Sequence, residues 1–541
     1  MAFTPCLPCT ALFAVLDQLA TYHNETMTDS VIRFCSYVPS EWHPLTDTFC
    51  KWPRDELRAL EGYDPDYICH NVFSACVGYD ECFIFKSPKK VNVRFQRDAA
   101  VTEAEPHYWC RSGFNFGILC NLEDAYVNAF GKDKIYVPPT LDDKDRDRFS
   151  PSLNAYRGAY WHGKDCNDSD GWIRPGALPT DGDALIDSNC NGIVGMYDSE
   201  RTREDVFCCN VSISKNLGVI VLGDSAAAHF HIPPQWLEVQ NMSSKTYDNL
   251  YLALANEFDW PMLSMATGFM NSTWASIGAQ TQSIYNYLLN WNRCNRNDFQ
   301  NLAFNGATMK SVSEQLPHQW SRRSIFDKPA LVILATIGND VCNGHVTDTL
   351  AHMTTPEDMT FYAKNVLLQL NDDRLRKGSH VIIIGTADGR LLYDQLHARY
   401  YPLGKLRRDV TYSDFYEWLT CLHENPCIGY LSSNETLRNL TYQRSQELNQ
   451  ALSDVVAQFR SDVIDVHFYA DLYKDTFTEL KETWPEDKLW EVVEPVDGFH
   501  PGQVFEATSA KILWRWIQKT IPHAIGPSNQ YNGEIDAYTK K

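Results

Sequence analysis

Four short motifs between residues 223 and 501 contain the side chains that hydrolysis through a serine nucleophile requires. In chain order they are G-D-S at 223–225, N-G-A at 305–307, G-N-D at 338–340 and D-G-F-H-P at 497–501. Such a reaction needs a nucleophile, a base that takes its proton, a group that orients the base, and donors for the oxyanion. Ser225 offers the nucleophile, His500 the base and Asp497 the orienting carboxylate.

The oxyanion donors would come from the same motifs. We expect them to be the backbone N–H groups of Ser225 and Gly306 and the side-chain amide of Asn339. Each motif taken alone is also a common turn or helix cap. The prediction of a two-step acyl transfer therefore depends on their occurrence together and in this order.

Apolar runs separated by helical periodicity surround these motifs. The runs at 219–222, 331–335, 381–384 and 463–467 predict strands, and the segments 358–371 and 443–459 predict helices. Strands that alternate with helices indicate an α/β fold, a parallel sheet with helices on both faces. Ser225 would then lie at the C-terminal end of a buried strand, where open α/β sheets bind their ligands.

Charge and composition exclude several classes of protein. The net charge of −21 over 541 residues argues against a nucleic-acid binder, and the length predicts two or three domains. No apolar run reaches the roughly 18 residues of a membrane helix. No signal peptide is visible, because Cys6 and Cys9 come almost at once.

Cysteine usage points to an oxidising compartment. The chain has 17 cysteines, and N-x-[ST] sequons begin at Asn24, Asn167, Asn210, Asn241, Asn271, Asn434 and Asn439. So many cysteines without a metal or redox motif are rare in the cytosol. We expect a secreted or lysosomal protein whose leader is missing from this sequence, and at least one cysteine without a partner in the chain.

The first 80 residues predict a small helical domain stapled by disulfides. Its cysteines lie at positions 6, 9, 35, 50, 69 and 76, among segments with helical spacing at 11–22 and 47–60. No second C-x-x-C or histidine pair supports a zinc or redox site here. Six cysteines allow fifteen connectivities, so spacing alone does not choose one.

Residues 141–204 are rich in carboxylates at alternating positions. From Asp187, oxygen-bearing side chains stand at positions 1, 3 and 5, with a glycine at position 6 and Asp198 at position 12, as in a calcium-binding loop. The alternative is an acidic loop without metal. We expect structural calcium, held by Asp143, Asp145, Asp147, Phe149, Asp165, Asp168, Asp170, Asp183, Asp187, Asn189, Asn191, Ile193 and Asp198. Cys166 and Cys190 lie one in each run, and we expect them to pair.

These observations divide the chain into four parts. They are a helical domain at 1–80, a connector at 81–140, the calcium-binding loop region at 141–204 and the catalytic domain at 205–541. His229 and His231 closely follow the serine. We expect them to pack in the core rather than to bind a substrate phosphate.

The four catalytic motifs, in their order, resemble the GDSL or SGNH esterase family. Together with the N-terminal cysteines, six longer motifs extend the resemblance, and nearly the whole chain resembles the acyloxyacyl hydrolase family. These motifs are D-C-N-D-S-D, D-S-N-C-N-G, L-G-D-S-A-A-A-H-F-H-I-P-P, I-G-N-D-V-C, C-L-H-E-N-P-C and P-V-D-G-F-H-P. Ala226-Ala227 departs slightly from the Ala-Gly pair expected after G-D-S. The resemblance implies a flavodoxin-like sheet, a saposin-like domain with pairs Cys6–Cys76, Cys9–Cys69 and Cys35–Cys50, and a lipid substrate.

That substrate would be bacterial lipopolysaccharide, from whose lipid A the family removes secondary acyl chains. The resemblance also implies transient contact with lipid aggregates or a membrane surface. It further implies a two-chain form after cleavage, with Cys82 bonded to Cys421 or Cys427. Because the chain is anionic, recognition of lipid phosphates would have to be local. Two alternatives stay open, a broader phospholipase or glycolipid esterase and a lipid-binding or transfer protein.

Overall fold

A computed structural model describes residues 4–39, 49–85, 140–209, 215–272, 280–342 and 350–539. Most of the expected connector at 81–140 lies outside these residues, and so do Cys110 and Cys120. Within them, no helix is both long and apolar enough to cross a membrane.

Helices form the N-terminal domain. They are α1 (Cys6–His23), α2 (Met27–Tyr37), α3 (Arg54–Arg58) and α4 (Pro65–Tyr67). In the segment expected to be helical at 47–60, residues 49–50 are helical and α3 begins only after Pro53, which cannot continue a helix. Disulfides join Cys6 to Cys76, Cys9 to Cys69 and Cys35 to Cys50, which are the pairs that the saposin-like spacing implied.

A five-stranded parallel sheet is the centre of the catalytic domain. Its strands are β1 (Gly218–Gly223), β2 (Phe299–Asn301), β3 (Ala330–Ala335), β4 (Ser379–Ile384) and β5 (Ile464–Tyr469), in the spatial order β2-β1-β3-β4-β5. In the register, Val219 pairs with Phe299 and Leu331. This order is that of flavodoxin-like doubly wound folds. The prediction of an α/β fold with a parallel sheet is confirmed.

Both faces of the sheet are covered by helices. The helices after the N-terminal domain are α5 (Arg157–Tyr160), α6 (Arg203–Phe207), α7 (Ser225–Ala228), α8 (Leu250–Ala255), α9 (Ile284–Trp291), α10 (Met309–Gln319), α11 (Pro356–Gln369), α12 (Arg390–Leu396), α13 (Tyr412–Cys421), α14 (Glu435–Gln458), α15 (Leu472–Thr483), α16 (Gln503–Thr520), α17 (Pro522–Ile525) and α18 (Asn532–Thr539).

The strands contribute to a separate buried cluster on each face. Ile220, Val332 and Val381 pack in one cluster with α10 and α11. Val219, Leu331 and Ile382 pack in the other with α9 and α16. Because both faces are buried, the central strands are apolar throughout.

The edge strand β2 is covered by the acidic loop region. Gly163 donates to the carbonyl of Phe299 at 3.0 Å, and Asn301 donates to the carbonyl of Trp161. Cys166 bonds Cys190 within this region, and Cys208 bonds Cys294 next to it. The loop region therefore protects a sheet edge that would otherwise expose unpaired backbone groups.

Covalent and polar contacts hold the N-terminal domain on the catalytic domain. Cys82 bonds Cys421 at the end of α13, across a sequence separation of 339 residues. Cys427, the alternative partner, bonds Cys342 instead. The backbone N–H of Thr4 donates to Glu424 at 3.0 Å. In the described part of the chain, Cys209 is a free thiol.

Candidate active site

The nucleophile stands at the junction of β1 and α7. Asp224 caps α7 by accepting from the N–H of Ala226 at 3.1 Å, and its second oxygen accepts from Ile337 at 2.8 Å and Gly338 at 3.1 Å. Burial raises the pKa of Asp224 to about 6. Gly223 leaves room for this junction, since a Cβ there would lie 2.5 Å from the carbonyl oxygen of Ala335. The carboxylate therefore ties the end of β1 to the end of β3.

Ser225, His500 and Asp497 form a hydrogen-bonded triad. The Ser225 hydroxyl lies 2.7 Å from His500 Nε2, and His500 Nδ1 lies 2.6 Å from Asp497 Oδ2. With Nδ1 protonated, His500 donates to the carboxylate and accepts from the serine. Burial lowers the pKa of His500, but the charge and hydrogen bond of Asp497, together with the charges of Asp224 and Glu494, raise it by more, so the net pKa is above its ordinary value. The triad is therefore set for proton transfer from the serine.

Three buried tyrosines hold the loop that carries Asp497 and His500. Tyr412 donates to the carbonyl of Pro495 at 2.6 Å, Tyr401 to Val496 at 2.7 Å and Tyr416 to Gly498 at 2.6 Å. Gly498 has φ +63, and a Cβ there would lie 2.6 Å from the Tyr416 hydroxyl. This crowded turn therefore requires glycine. Composition alone did not distinguish these tyrosines from ordinary core residues.

The two other oxyanion candidates are positioned differently. Asn339 follows β3 and lines the cavity in which Ser225 and His500 lie. Gly306 lies in the turn after β2, where Phe304 donates to the carbonyl of Gly223 at 3.1 Å. Gly306 is exposed, has φ +74 and is not among the residues that line this cavity. The structure thus brings Asn339 to the serine and places Gly306 in the turn beside the end of β1.

An apolar cavity opens at the triad. Besides the catalytic residues, its wall includes Leu391, Leu392, Tyr430, Val492, Val493 and Phe505. A wall of this composition suits a hydrocarbon chain better than a polar substituent.

A polar cleft adjoins the cavity and shares Asp388 and Leu391 with it. Its charged side chains are Arg390, Asp394, Glu435, Arg438, Lys474 and Lys481. Arg390 is occupied by Asp388, at 2.7 Å, and Arg438 lies over the ring of Tyr393. Lys474 and Lys481 are the more exposed cations of the cleft.

His229 and His231 each face a buried glutamate. His229 Nδ1 lies 3.0 Å from Glu506, and His231 Nδ1 lies 2.7 Å from Glu494. Glu494 also donates its backbone N–H to the carbonyl of His500 at 2.9 Å. His229 is therefore tied to α16 through Glu506, and His231 is tied through Glu494 to the segment that precedes His500. Sequence spacing gave no sign of either glutamate.

The first acidic loop has converging oxygens without partners. Asp145 Oδ2, Asp147 Oδ2 and Asp165 Oδ2 are buried without a hydrogen bond, and the three carboxylates approach one another. Burial and neighbouring carboxylates raise the pKa of Asp147 to about 8 and that of Asp165 to about 6. Asp143 and Asp168 join Asp145 in an adjacent group, although Asp168 is also paired with Lys144 at 2.8 Å. Such a set of oxygens fits a hard cation.

The second acidic loop repeats the backbone arrangement of the first. Asn191 Oδ1 accepts from Ile193 N–H at 2.7 Å, as Asp147 accepts from Phe149 at 2.8 Å. The Asp187 carboxylate accepts from Asn191 and Gly192. Asp170, in the earlier run, accepts from Trp172 N–H at 3.2 Å and is exposed.

The expectation that Asp198 completes this loop is wrong. Its carboxylate is exposed and bound to Arg201 at 2.6 Å, because residues 198–201 form a turn of their own. The buried Glu204 lies in the cluster instead, accepting from Asn189 at 3.2 Å and Asn191 at 2.9 Å. Asp183 accepts from Asn189 at 2.9 Å. A fixed loop spacing could not indicate Glu204, because this residue lies beyond the loop, on α6.

Comparison with known proteins agrees with this architecture. Residues 5–117 match the saposin-like domain family and residues 219–513 match the GDSL-like lipase/acylhydrolase family. The acyloxyacyl hydrolase of Oryctolagus cuniculus is 39% identical over 545 residues, covering 98% of this chain and 92% of the relative. The enzymes of Homo sapiens and Mus musculus are each 37% identical, over 98% of this chain and 91% and 92% of their own lengths. Because relatives at 37–39% identity match 98% of its length, the chain belongs to the acyloxyacyl hydrolase family.

Proposed function

We propose that this chain is a serine esterase that removes secondary, acyloxyacyl-linked fatty acids from the lipid A of lipopolysaccharide. The observation that carries the proposal is the Ser225–His500–Asp497 triad at the mouth of an apolar cavity. Membership of the acyloxyacyl hydrolase family supports the lipid ester as substrate.

In the first step His500 Nε2 takes the proton of Ser225 while Oγ attacks the ester carbonyl. Asp497 stays ionised and stabilises the imidazolium that forms. The oxyanion is bound by the Ser225 N–H and the Asn339 amide, with Gly306 as the third proposed donor. Each such donor is worth on the order of 3 kcal/mol of barrier.

In the second step His500 gives its proton to the departing hydroxyl of the primary acyl chain. Water, activated by the same imidazole, then attacks the acyl-serine and releases the fatty acid. The apolar cavity holds the acyl chain during both steps, so its hydrocarbon stays out of water.

The N-terminal domain would shelter lipid tails and contact lipid aggregates or a membrane surface transiently. A cut within residues 86–139 would give a two-chain form joined by Cys82–Cys421, and its pieces would separate on a denaturing gel only after reduction. The disulfides of the described residues favour a secreted or lysosomal location.

The polar cleft is our candidate for the phosphorylated headgroup. Lys474 and Lys481 lie in a cleft that adjoins the acyl cavity, so one amphipathic lipid could reach both. The cleft carries four cationic side chains against three carboxylates, a small local excess of positive charge in a chain whose net charge is −21.

Calcium is our proposed cofactor for the acidic loops. Asp143, Asp145, Asp147, Asp165 and Asp168 would hold one ion, supported by the three oxygens without partners. In the second loop Asp187, Asn189, Asn191 and Ile193 are the proposed ligands. The ions would be structural, since these loops cover β2 rather than contact the triad.

The substrate can be tested by mass spectrometry of lipid A incubated with the protein. We expect loss of secondary acyl chains only, and no loss with Ser225→Ala. Cleavage of phospholipids or simple esters with intact lipid A would instead favour the broader esterase. No cleavage of any lipid would favour a lipid-binding or transfer protein.

The role of Asp497 can be tested with Asp497→Asn. We expect kcat for a short neutral ester to fall about 10⁴-fold, because the amide no longer holds the correct tautomer or stabilises the imidazolium. Asp388→Asn, in the wall of the same cavity but bound to Arg390, should change kcat little. A loss below tenfold in Asp497→Asn would contradict the assigned role.

Charge removal tests the headgroup cleft. Lys474→Gln and Lys481→Gln should each lower kcat/KM for phosphorylated lipid A about threefold to fivefold, as expected for an exposed ion pair worth up to ~1 kcal/mol. Turnover of dephosphorylated lipid A should not change. Lys519→Gln, at the end of α16, is the matched control. Equal losses on both lipids would refute phosphate binding here.

Chelation tests the calcium proposal. An excess of EGTA should lower the melting temperature, since a ligand at 100 times its Kd stabilises by about 2.7 kcal/mol. Asp147→Asn should melt lower than the native sequence in calcium and respond less to EGTA. The exposed Asp198→Asn should respond as the native sequence does. Identical melting temperatures with calcium and with EGTA would contradict the proposal that calcium binds these loops and stabilises the fold.

A further inference from the structure

Three histidines and an aspartate lie close together toward the ends of the strands opposite the active site. His380 stands near the start of β4, Asp465 near the start of β5, His467 in the middle of β5 and His523 on α17. The catalytic serine lies at the carboxyl ends of the parallel strands, whereas these residues lie toward the amino ends. No residue of the proposed catalytic mechanism is among them.

The sheet register explains why these side chains converge. His380 pairs with Asp465, so the two side chains share one face of the parallel sheet, and His467 follows two residues later on that same face. Ala524 and Ile525 of α17 pack on this face together with Ile382 and Ile384. The short helix α17 thereby brings His523 over the strand pair.

The distances between ligand atoms are those of a compact metal site. His380 Nδ1 lies 3.3 Å from His467 Nε2 and 3.7 Å from Asp465 Oδ2, and His523 Nε2 lies 3.8 Å from that same carboxylate oxygen. The ligand atoms of His380, Asp465 and His523 all lie within 4.8 Å of one another, whereas His467 is outside this group and would join it by rotation of its side chain. Two ligands bound about 2.05 Å from a tetrahedral zinc ion lie about 3.3 Å apart, so small shifts suffice for the first three side chains.

Burial and charge also suit a divalent ion. The His380 side chain is 5% exposed, whereas Asp465 and His523 are 59% and 61% exposed, so the group is open to solvent on one side. The Asp465 carboxylate supplies a negative charge, and Lys215 is the nearby cation that would oppose an added positive charge.

We propose that His380, Asp465, His467 and His523 form a zinc-binding site that joins α17 to the strand pair β4–β5. A ligand set of imidazole nitrogens and one carboxylate oxygen binds zinc in preference to calcium. The carboxylate loops at 141–204 offer only oxygen ligands, which favour the harder calcium ion. The two classes of site therefore differ in ligand chemistry and can be separated experimentally.

The test is zinc binding to the full chain in excess calcium, which occupies the carboxylate loops. We expect one equivalent of zinc by titration calorimetry, and cobalt in its place should give the intense visible bands of a tetrahedral, nitrogen-ligated ion. His523→Ala and His467→Ala should each weaken zinc binding more than 100-fold, beyond the 10- to 100-fold that loss of an outer-shell partner costs. His397→Ala, an exposed histidine on another surface, should bind zinc as the native sequence does.

Two further readouts separate loss of the site from loss of the fold. Without metal, His523→Ala should melt at the native temperature, because its side chain is largely exposed. Ester hydrolysis should be unchanged in these variants, since the site is remote from the triad. Zinc affinity that is equal in the native protein and in the His467→Ala/His523→Ala double variant would overturn the proposal, as would a cobalt spectrum of octahedral type.

Discussion

The active site depends on one buried carboxylate at the point where the strand order of the sheet reverses, between β1 and β3. Asp224 accepts three backbone N–H groups, one from α7 and two from the segment after β3. In a doubly wound sheet of this order, the segments that follow β1 and β3 diverge beyond the carboxyl ends of the strands, which opens a crevice. Because Asp224 spans that crevice, Ser225 on one side and Asn339 on the other stay in register. The burial that raises the pKa of this carboxyl also makes its hydrogen bonds strong.

A second constraint acts on the loop that carries the base. Residues 495–498 have no regular secondary structure of their own, so their carbonyls need donors from elsewhere. Phenol groups on one side of the loop supply those donors, two of them from α13. His500 is thus held by aromatic packing and hydrogen bonds on a loop that would otherwise be free to move. Ser225 and His500 are 275 residues apart in the sequence, and each is held in place by its own local contacts.

The sequence predicted those parts of the fold that depend on burial or on fixed spacing. The apolar runs of β1, β3 and β4 were visible because both faces of those strands are covered. The strand β2 was not predicted, since it has only three residues, F-Q-N, and pairs with β1 alone. The triad could be assembled from its motifs because each role needs one residue type. Partners that depend only on tertiary contact, such as Glu204 and Glu494, leave no local pattern. Asp198 was misassigned because a loop template assumes a helix after the loop, and here a tight turn intervenes.

The helix α13 has two attachments whose combination matters. Near its start, Tyr412 and Tyr416 hold the loop of His500, and at its end Cys421 carries the bond to Cys82. A helix of ten residues is a stiff rod about 15 Å long. A displacement of Cys82 would therefore pass through Cys421 and this helix to the loop that carries His500. One rigid element thus couples the position of the N-terminal domain to the alignment of the catalytic base.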